Sequence, residues 1–298
     1  LFGQPGDSND DGTNPEQPGD NNDEGGDNIE GSGLTVPVIS REPENGEIPI
    51  NSADKLAKIG KDEDYPLSGK YILTSDIDLS GYSEGEGWAP IGNYSSNFTG
   101  SFDGNGYKIT GLTIDRSGTN YIGLFGYTDK ATIRNVALED VNIKGKSYTG
   151  GLVGYAVSST ITNSYATGKV TGTSDTGGLV GCAYSSTSIT NSYATGEVTG
   201  GGGTGGLVGY AASETTITNS YATGEVTGTG NSTGGLVGCA YKSSVTNSYA
   251  TGSVTGGERT GGLVGRAWDS TITNSYATGS VTGEGNDTGG LVGYAYSS

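Results

Sequence analysis

Thr149-Gly-Gly-Leu-Val-Gly-Tyr-Ala156, followed by Ser158-Ser-Thr-Ile-Thr-Asn-Ser-Tyr-Ala-Thr-Gly168, is copied with small changes to the end of the chain. The Gly-Gly pair opens at Gly150, Gly177, Gly205, Gly234, Gly261 and Gly289, in steps of 27, 28, 29, 27 and 28. Asn-Ser-Tyr-Ala-Thr-Gly recurs at Asn163, Asn191, Asn219, Asn247 and Asn274. A fixed period of this size specifies a solenoid, in which each unit buries its apolar side only by stacking on its neighbours. Stacking turns every position of the repeat into a column of like residues, so surfaces rather than enclosed pockets are the expected product.

Alternation within a repeat predicts an all-β parallel solenoid of about 28 residues per coil, with three short strands: Leu152–Ala156, one around Thr160–Thr162, and Tyr165–Thr171. Position 155 becomes Cys182, Tyr210, Cys239, Arg266 and Tyr294, and position 169 becomes Glu197, Glu225, Ser253 and Ser280; both are therefore assigned outward. Leu152, Gly154, Ala156, Ile161, Ala166, Gly168 and Val170 then point inward. Asn163-Ser164 supplies the bend, and the Asn column is expected to form a ladder of side-chain amides. Cys182 and Cys239, the two cysteines, lie two repeats apart in one column. Strands stack at about 4.8 Å, which separates the thiols by roughly 10 Å. A disulfide needs Cα atoms within about 7 Å, so two free thiols are expected.

Composition narrows the function classes. Of 298 residues, 57 are Gly, and the net charge of −18 disfavours nucleic acid and anionic membranes as partners. No apolar run approaches the roughly 18 residues of a transmembrane helix. The chain begins at Leu1 and contains no Met, so it reads as a processed or excised segment. Residues 1–33 are an acidic linker or tail, too polar to fold alone. Within it Asp7, Asn9 and Asp11 match the start of a calcium loop, a weak metal candidate because Pro18 stands where the loop needs Glu. No other cofactor is indicated. Residues 34–50 form an extended segment; Ser52 is expected to cap a short helix ending at Gly60, which would cover the first coil. Residues 51–121 make the cap and irregular first coils, and 122–298 the regular repeats. The last repeat stops at Ser298, and its open coil is expected to be covered by more repeats or another copy of the chain.

Tyr71-Ile-Leu-Thr-Ser-Asp-Ile-Asp-Leu79, Trp88-Ala-Pro-Ile-Gly92, Phe98-Thr-Gly-Ser-Phe-Asp-Gly-Asn-Gly106, Gly123-Leu-Phe-Gly126 and the Gly-Gly-Leu-Val-Gly repeats together resemble the bacterial GLUG-motif family, over roughly residues 50–298. The resemblance implies a right-handed parallel β-helix in a secreted or surface-anchored bacterial protein. Such repeats occur in adhesin-like proteins and beside the catalytic part of immunoglobulin A-specific metallopeptidases. They offer no catalytic residues to transfer.

Two aromatic columns are candidate ligand surfaces for a host or neighbouring-cell glycan or protein. One is Tyr165, Tyr193, Tyr221, Tyr249 and Tyr276; the other includes Tyr184, Tyr241 and Trp268 along the first strand. The Thr columns from Thr167 and Thr171 are similar to those of ice-binding solenoids. Thr167 and Thr171 are separated by Lys169, and their copies by Glu197 or Ser, so a contiguous T-x-T array is missing and ice binding is not expected. With no His, metalloprotease and Cys–His chemistry are absent from the sequence. Asp76, Asp78, Asp103 and Asp115 are read as turn and capping residues. The expectation is a non-enzymatic adhesin or stalk at the cell surface.

Overall fold

The computed structural model describes residues 40–298. The acidic segment, its calcium candidate Asp7, Asn9 and Asp11, and the Leu34–Ile39 run lie outside the described residues. The rest is a parallel β-solenoid with coil pairing at about 28 residues. One α-helix, α1 (Ala53–Lys58), is present near its start. Ser52 caps that helix, its Oγ accepting from Lys55 N–H at 3.3 Å. Leu56 and Ile59 are buried in the same core as Ile50 and Tyr71.

Four sheets run along the stack, one more than alternation predicts. Following the chain through one coil, sheet A holds Val153–Val157, sheet B Thr160–Thr162, sheet C Tyr165–Thr171 and sheet D Ser174–Gly177. Sheet D lies where alternation within the repeat predicts no strand. In later coils the sheet C strand divides into a Tyr-Ala pair and a Val-Thr-Gly triplet, as in Tyr193–Ala194 and Val198–Gly200. Between them Thr-Gly-Glu bulges, and Gly168 in the first such bulge has φ +111.

The extra sheet explains the glycines. A Cβ built on Gly181 of sheet A would lie 2.5 Å from both Thr149 N and Tyr148 C of sheet D. One built on Gly151, at the corner between the two sheets, would lie 2.8 Å from Ala166 Cβ of sheet C. No side chain fits at such distances, so backbone layers meet directly and the interior is narrow. The inward assignments of Leu152, Ala156, Ile161, Ala166 and Val170 agree with burial below 3%. Val153, which alternation from Leu152 would turn outward, is also fully buried. Within the strand Val153–Val157 it shares a side with Tyr155, so burial on this strand does not follow alternation alone.

Polar ladders lock the coils together. Asn163, Asn191, Asn219 and Asn247 each donate Nδ2–H to Oδ1 of the Asn one coil earlier, at 3.1–3.3 Å. All lie near φ +50, a conformation Asn tolerates better than most residues. The ladder starts on Asp103, whose Oδ1 accepts from Asn135 Nδ2 at 2.9 Å. Next to it Ser164, Ser192 and Ser220 donate to the carbonyls two residues earlier, while their Oγ atoms accept N–H from the preceding coil. In the irregular first coils, Phe98, Phe102 and Phe125 pack at ring-centroid distances of 4.8 and 5.4 Å. They fill the interior of these coils, where Leu, Ile and Val suffice further on.

Two substitutions test this packing by urea denaturation. Leu207→Ala removes a fully buried side chain and should cost about 2–5 kcal/mol. Gly181→Ala adds one methyl group where only backbone fits and should cost at least the roughly 1–3 kcal/mol of overpacking. An unchanged midpoint for Gly181→Ala would contradict the backbone-to-backbone contact of sheets A and D.

Candidate ligand surface

The first aromatic column lies on the outer side of sheet C. Tyr165, Tyr193, Tyr221, Tyr249 and Tyr276 pair in register. Their rings stack with centroids 4.7, 4.7, 4.9 and 5.1 Å apart and planes within 5° of parallel. They face out but are half-buried, except Tyr276, which is exposed. Burial raises the phenol pKa values of Tyr165, Tyr193, Tyr221 and Tyr249, that of Tyr221 to about 12. The column begins where Tyr165 Oη donates to Glu139 Oε1 at 2.8 Å. Lys108, 2.8 Å from the same carboxylate, and the Tyr165 hydroxyl hold Glu139 below the usual carboxylate range. Each ring covers its neighbour's face, so this ladder offers a ligand mainly ring edges and hydroxyls.

Sheet A carries the second set, and the structure divides it in two. Tyr127, Tyr155, Cys182, Tyr210, Cys239, Arg266 and Tyr294 form one column. Tyr184, Tyr241, Trp268 and Tyr296 stand in the next, with Ala212 among them. An aromatic ring occupies the second column wherever Cys or Arg occupies the first. These rings are tilted: Tyr241–Trp268 at 65° and 6.3 Å, Trp268–Tyr296 at 56° and 5.0 Å. Neighbours therefore do not stack on one another's faces. Cations stand over them instead, Arg266 4.7 Å from the Trp268 ring and Lys242 5.4 Å from that of Tyr241.

A tyrosine cluster missed in the sequence extends this face. Tyr121 stacks on Tyr94 and Tyr148 at 6.1 and 5.2 Å, Tyr127 stacks on Tyr155 at 5.0 Å, and the two stacks meet edge to face. Tyr94 is 68% exposed. Tyr121 and Tyr148 adopt φ +63 and +58, which costs a bulky residue about 1–3 kcal/mol. The 27-residue step from Tyr121 to Tyr148 and the 28-residue step from Tyr127 to Tyr155 were the available signal.

Cys182 and Cys239 lie in one column on either side of Tyr210, and both are free. Burial pushes the Cys239 thiol up to about 11 and that of Cys182 further. Asp175, in the sheet D strand beside them, is pushed up to about 6 by burial. The acidic residues of the first coils are engaged: Asp76 accepts from Lys108 N, Asp78 from Ser80 N, Asp103 from Arg134 and Asn105, and Asp115 from Lys144. No helix among the described residues is long and apolar enough to cross a membrane.

Comparison with known proteins agrees with the repeat. A family model described as the GLUG motif matches residues 145–171, 172–199, 200–227, 229–255 and 256–282. Halomucin of Haloquadratum walsbyi is 41% identical over 117 residues, 35% of this chain and 1% of that protein. A candidate Gly-rich membrane protein of Evansella cellulosilytica is 41% identical over 90 residues, 28% of this chain and 10% of that protein. The matched segments are thus a small part of these relatives' length. The crystal structure of a candidate immunoglobulin A1 protease from Bacteroides ovatus is similar with a TM-score of 0.57 and 18% identity, over 84% of each chain. That likeness is one of fold.

Two measurements check the buried groups of this face. Both thiols should resist alkylation in the native protein at pH 8, label more readily as pH rises toward 11, and label fully on unfolding without reductant. Asp175→Asn removes a carboxylate that burial keeps from ionising freely. Because the folded pKa lies above the unfolded one, the penalty is complete above about pH 6 and vanishes below the unfolded value near 4. The substitution should therefore raise the urea midpoint at pH 7.5 and change it little at pH 4.

Proposed function

For a chain that carries five consecutive GLUG repeats, we propose the role of a non-enzymatic adhesive stalk on the outside of a bacterial cell. The observation that carries this reading is the uninterrupted coil-to-coil continuity of sheets A to D, locked by the Asn and Ser ladders. Such a stack is a rigid spacer, and it repeats any weak contact along its length. Repetition of weak contacts yields avidity without a deep pocket. Likeness to halomucin and to a Gly-rich membrane protein supports a position at or beyond the cell surface.

The adhesive contact is assigned to the tilted rings of sheet A, with Tyr184, Tyr241 and Trp268 at its centre. A glycan or a protein segment is the partner such rings suit, since they combine apolar faces with polar edges. The Tyr165 ladder contributes stiffness and a row of hydroxyls. A second reading follows from the fold of the Bacteroides ovatus chain: the segment is the non-catalytic repeat part of a larger surface peptidase.

Glycan-array binding set beside a polysaccharide-cleavage and peptidase screen separates these classes. Binding without turnover is expected, reduced at least several-fold by combining Tyr184→Ala, Tyr241→Ala and Trp268→Ala. Turnover lost in Asp76→Asn or Asp103→Asn would overturn the non-enzymatic reading.

A further inference from the structure

The interrupted Thr columns of sheet C are not the only ones. Sheet B carries an unbroken hydroxyl array on its outer side, T-x-T in three coils and S-x-T in two. Its strands Thr160–Thr162, Ser188–Thr190, Thr216–Thr218, Ser244–Thr246 and Thr271–Thr273 pair in parallel register, hydroxyl residue against hydroxyl residue. Ile161, Ile189, Ile217 and Val245, the central residues of the first four, are buried, so the flanking side chains point to solvent. Two ranks of five hydroxyls result, one from Thr160 to Thr271 and the other from Thr162 to Thr273.

Three further observations separate this face from an ordinary polar surface. First, its hydroxyls are unspent. Ser188 and Thr190 touch one another at 3.4 Å, and the other eight hydroxyls make no hydrogen bond among the described residues. Elsewhere in the coil Ser164, Thr187 and Thr215 are consumed by backbone carbonyls. Second, these five strands present no charge outward in a chain of net charge −18, whereas the outer side of sheet C displays Lys169, Glu197 and Glu225. Third, the ranks keep register: each hydroxyl residue pairs with the hydroxyl residue one coil on, with no slip along the five strands.

We propose that the outer face of sheet B binds ice, its two ranks of Thr and Ser hydroxyls docking on the water lattice of a crystal face. Adjacent strands place like hydroxyls about 4.8 Å apart, and residues i and i+2 of one strand about 6.7 Å apart. This grid is fixed by the backbone, and its two repeats are similar to those of the oxygen lattice of hexagonal ice. Each Thr adds a methyl group that orders water beside the hydroxyl that anchors it. Removing charge matters because a charged group binds its own hydration shell and breaks the lattice. A flat crystalline polysaccharide would call for rings on this face, and it has none. The inference does not rest on the adhesive reading, which concerns sheet A.

The test uses the full chain in nanolitre osmometry, with ice-crystal shape read in the same drop. The wild type should hold growth below the melting point and facet the crystal. Thr218→Tyr, in the middle of the array, should abolish the gap. Thr223→Tyr, at an exposed position of sheet C, should leave it intact. Circular dichroism and urea midpoints establish that both variants fold. Rounded crystals with no freezing gap for the wild type would overturn the proposal, as would full activity in Thr218→Tyr or equal loss in both variants.

Discussion

The structure depends on backbone meeting backbone at glycine. In each coil the strand of sheet D turns back through Gly-Gly-Leu and continues as the strand of sheet A, and the two layers touch where a sheet A glycine meets the backbone of sheet D. Gly181 faces Thr149 and Tyr148 across that contact, and Gly151 faces the methyl group of Ala166 across the lumen. Any Cβ there would push the layers apart, and the displacement would pass to every coil above and below. The cost of so many glycines in the unfolded chain is offset by close packing and by ladders of hydrogen bonds running the length of the stack.

Once one coil is fixed, translation does the rest. A residue chosen at one position is met by the same residue a strand spacing away, so each choice is tested as a ladder. Asn succeeds at the bend because its amide both donates and accepts along the axis, and because it tolerates positive φ. Ser and Thr succeed at the corners between sheets for the same reason. Tyr on sheet C stacks face to face and becomes a stiffening column. On sheet A the same residue type stacks only where two tyrosines are neighbours, as Tyr127 on Tyr155; where Cys and Arg interrupt the column, the rings beside them are tilted. The chemistry of a ring here is decided by its neighbour one coil away.

The faces are consequently distinct. Sheet A carries tilted aromatic rings with cations over them, sheet C a closed tyrosine ladder beside charged residues, and sheet B, over its five regular strands, a grid of hydroxyls. A solenoid can carry such different surfaces at once because its core contributes only a few apolar residues per coil and leaves the outer positions free.

Much was legible before any coordinates. The 28-residue period determined a solenoid, variation at positions 155 and 169 marked outward columns, the Asn ladder followed from Asn163 and its copies, and the cysteine spacing excluded a bridge between Cys182 and Cys239. These follow from periodicity, which the chain states in its own letters. Three things were decided only by the tertiary structure. Sheet D turned the Gly-Gly corner into a layer contact, because a strand of three or four residues with Gly at its end carries no alternation to read. The steps from Tyr121 to Tyr148 and from Tyr127 to Tyr155 mark two ring pairs in the letters, but that the pairs meet each other and Tyr94 is visible only in the fold. The hydroxyl grid of sheet B was present in the letters, yet its meaning required knowing that Ile161 and its copies point inward, that the strands keep register, and that no backbone group takes those hydroxyls.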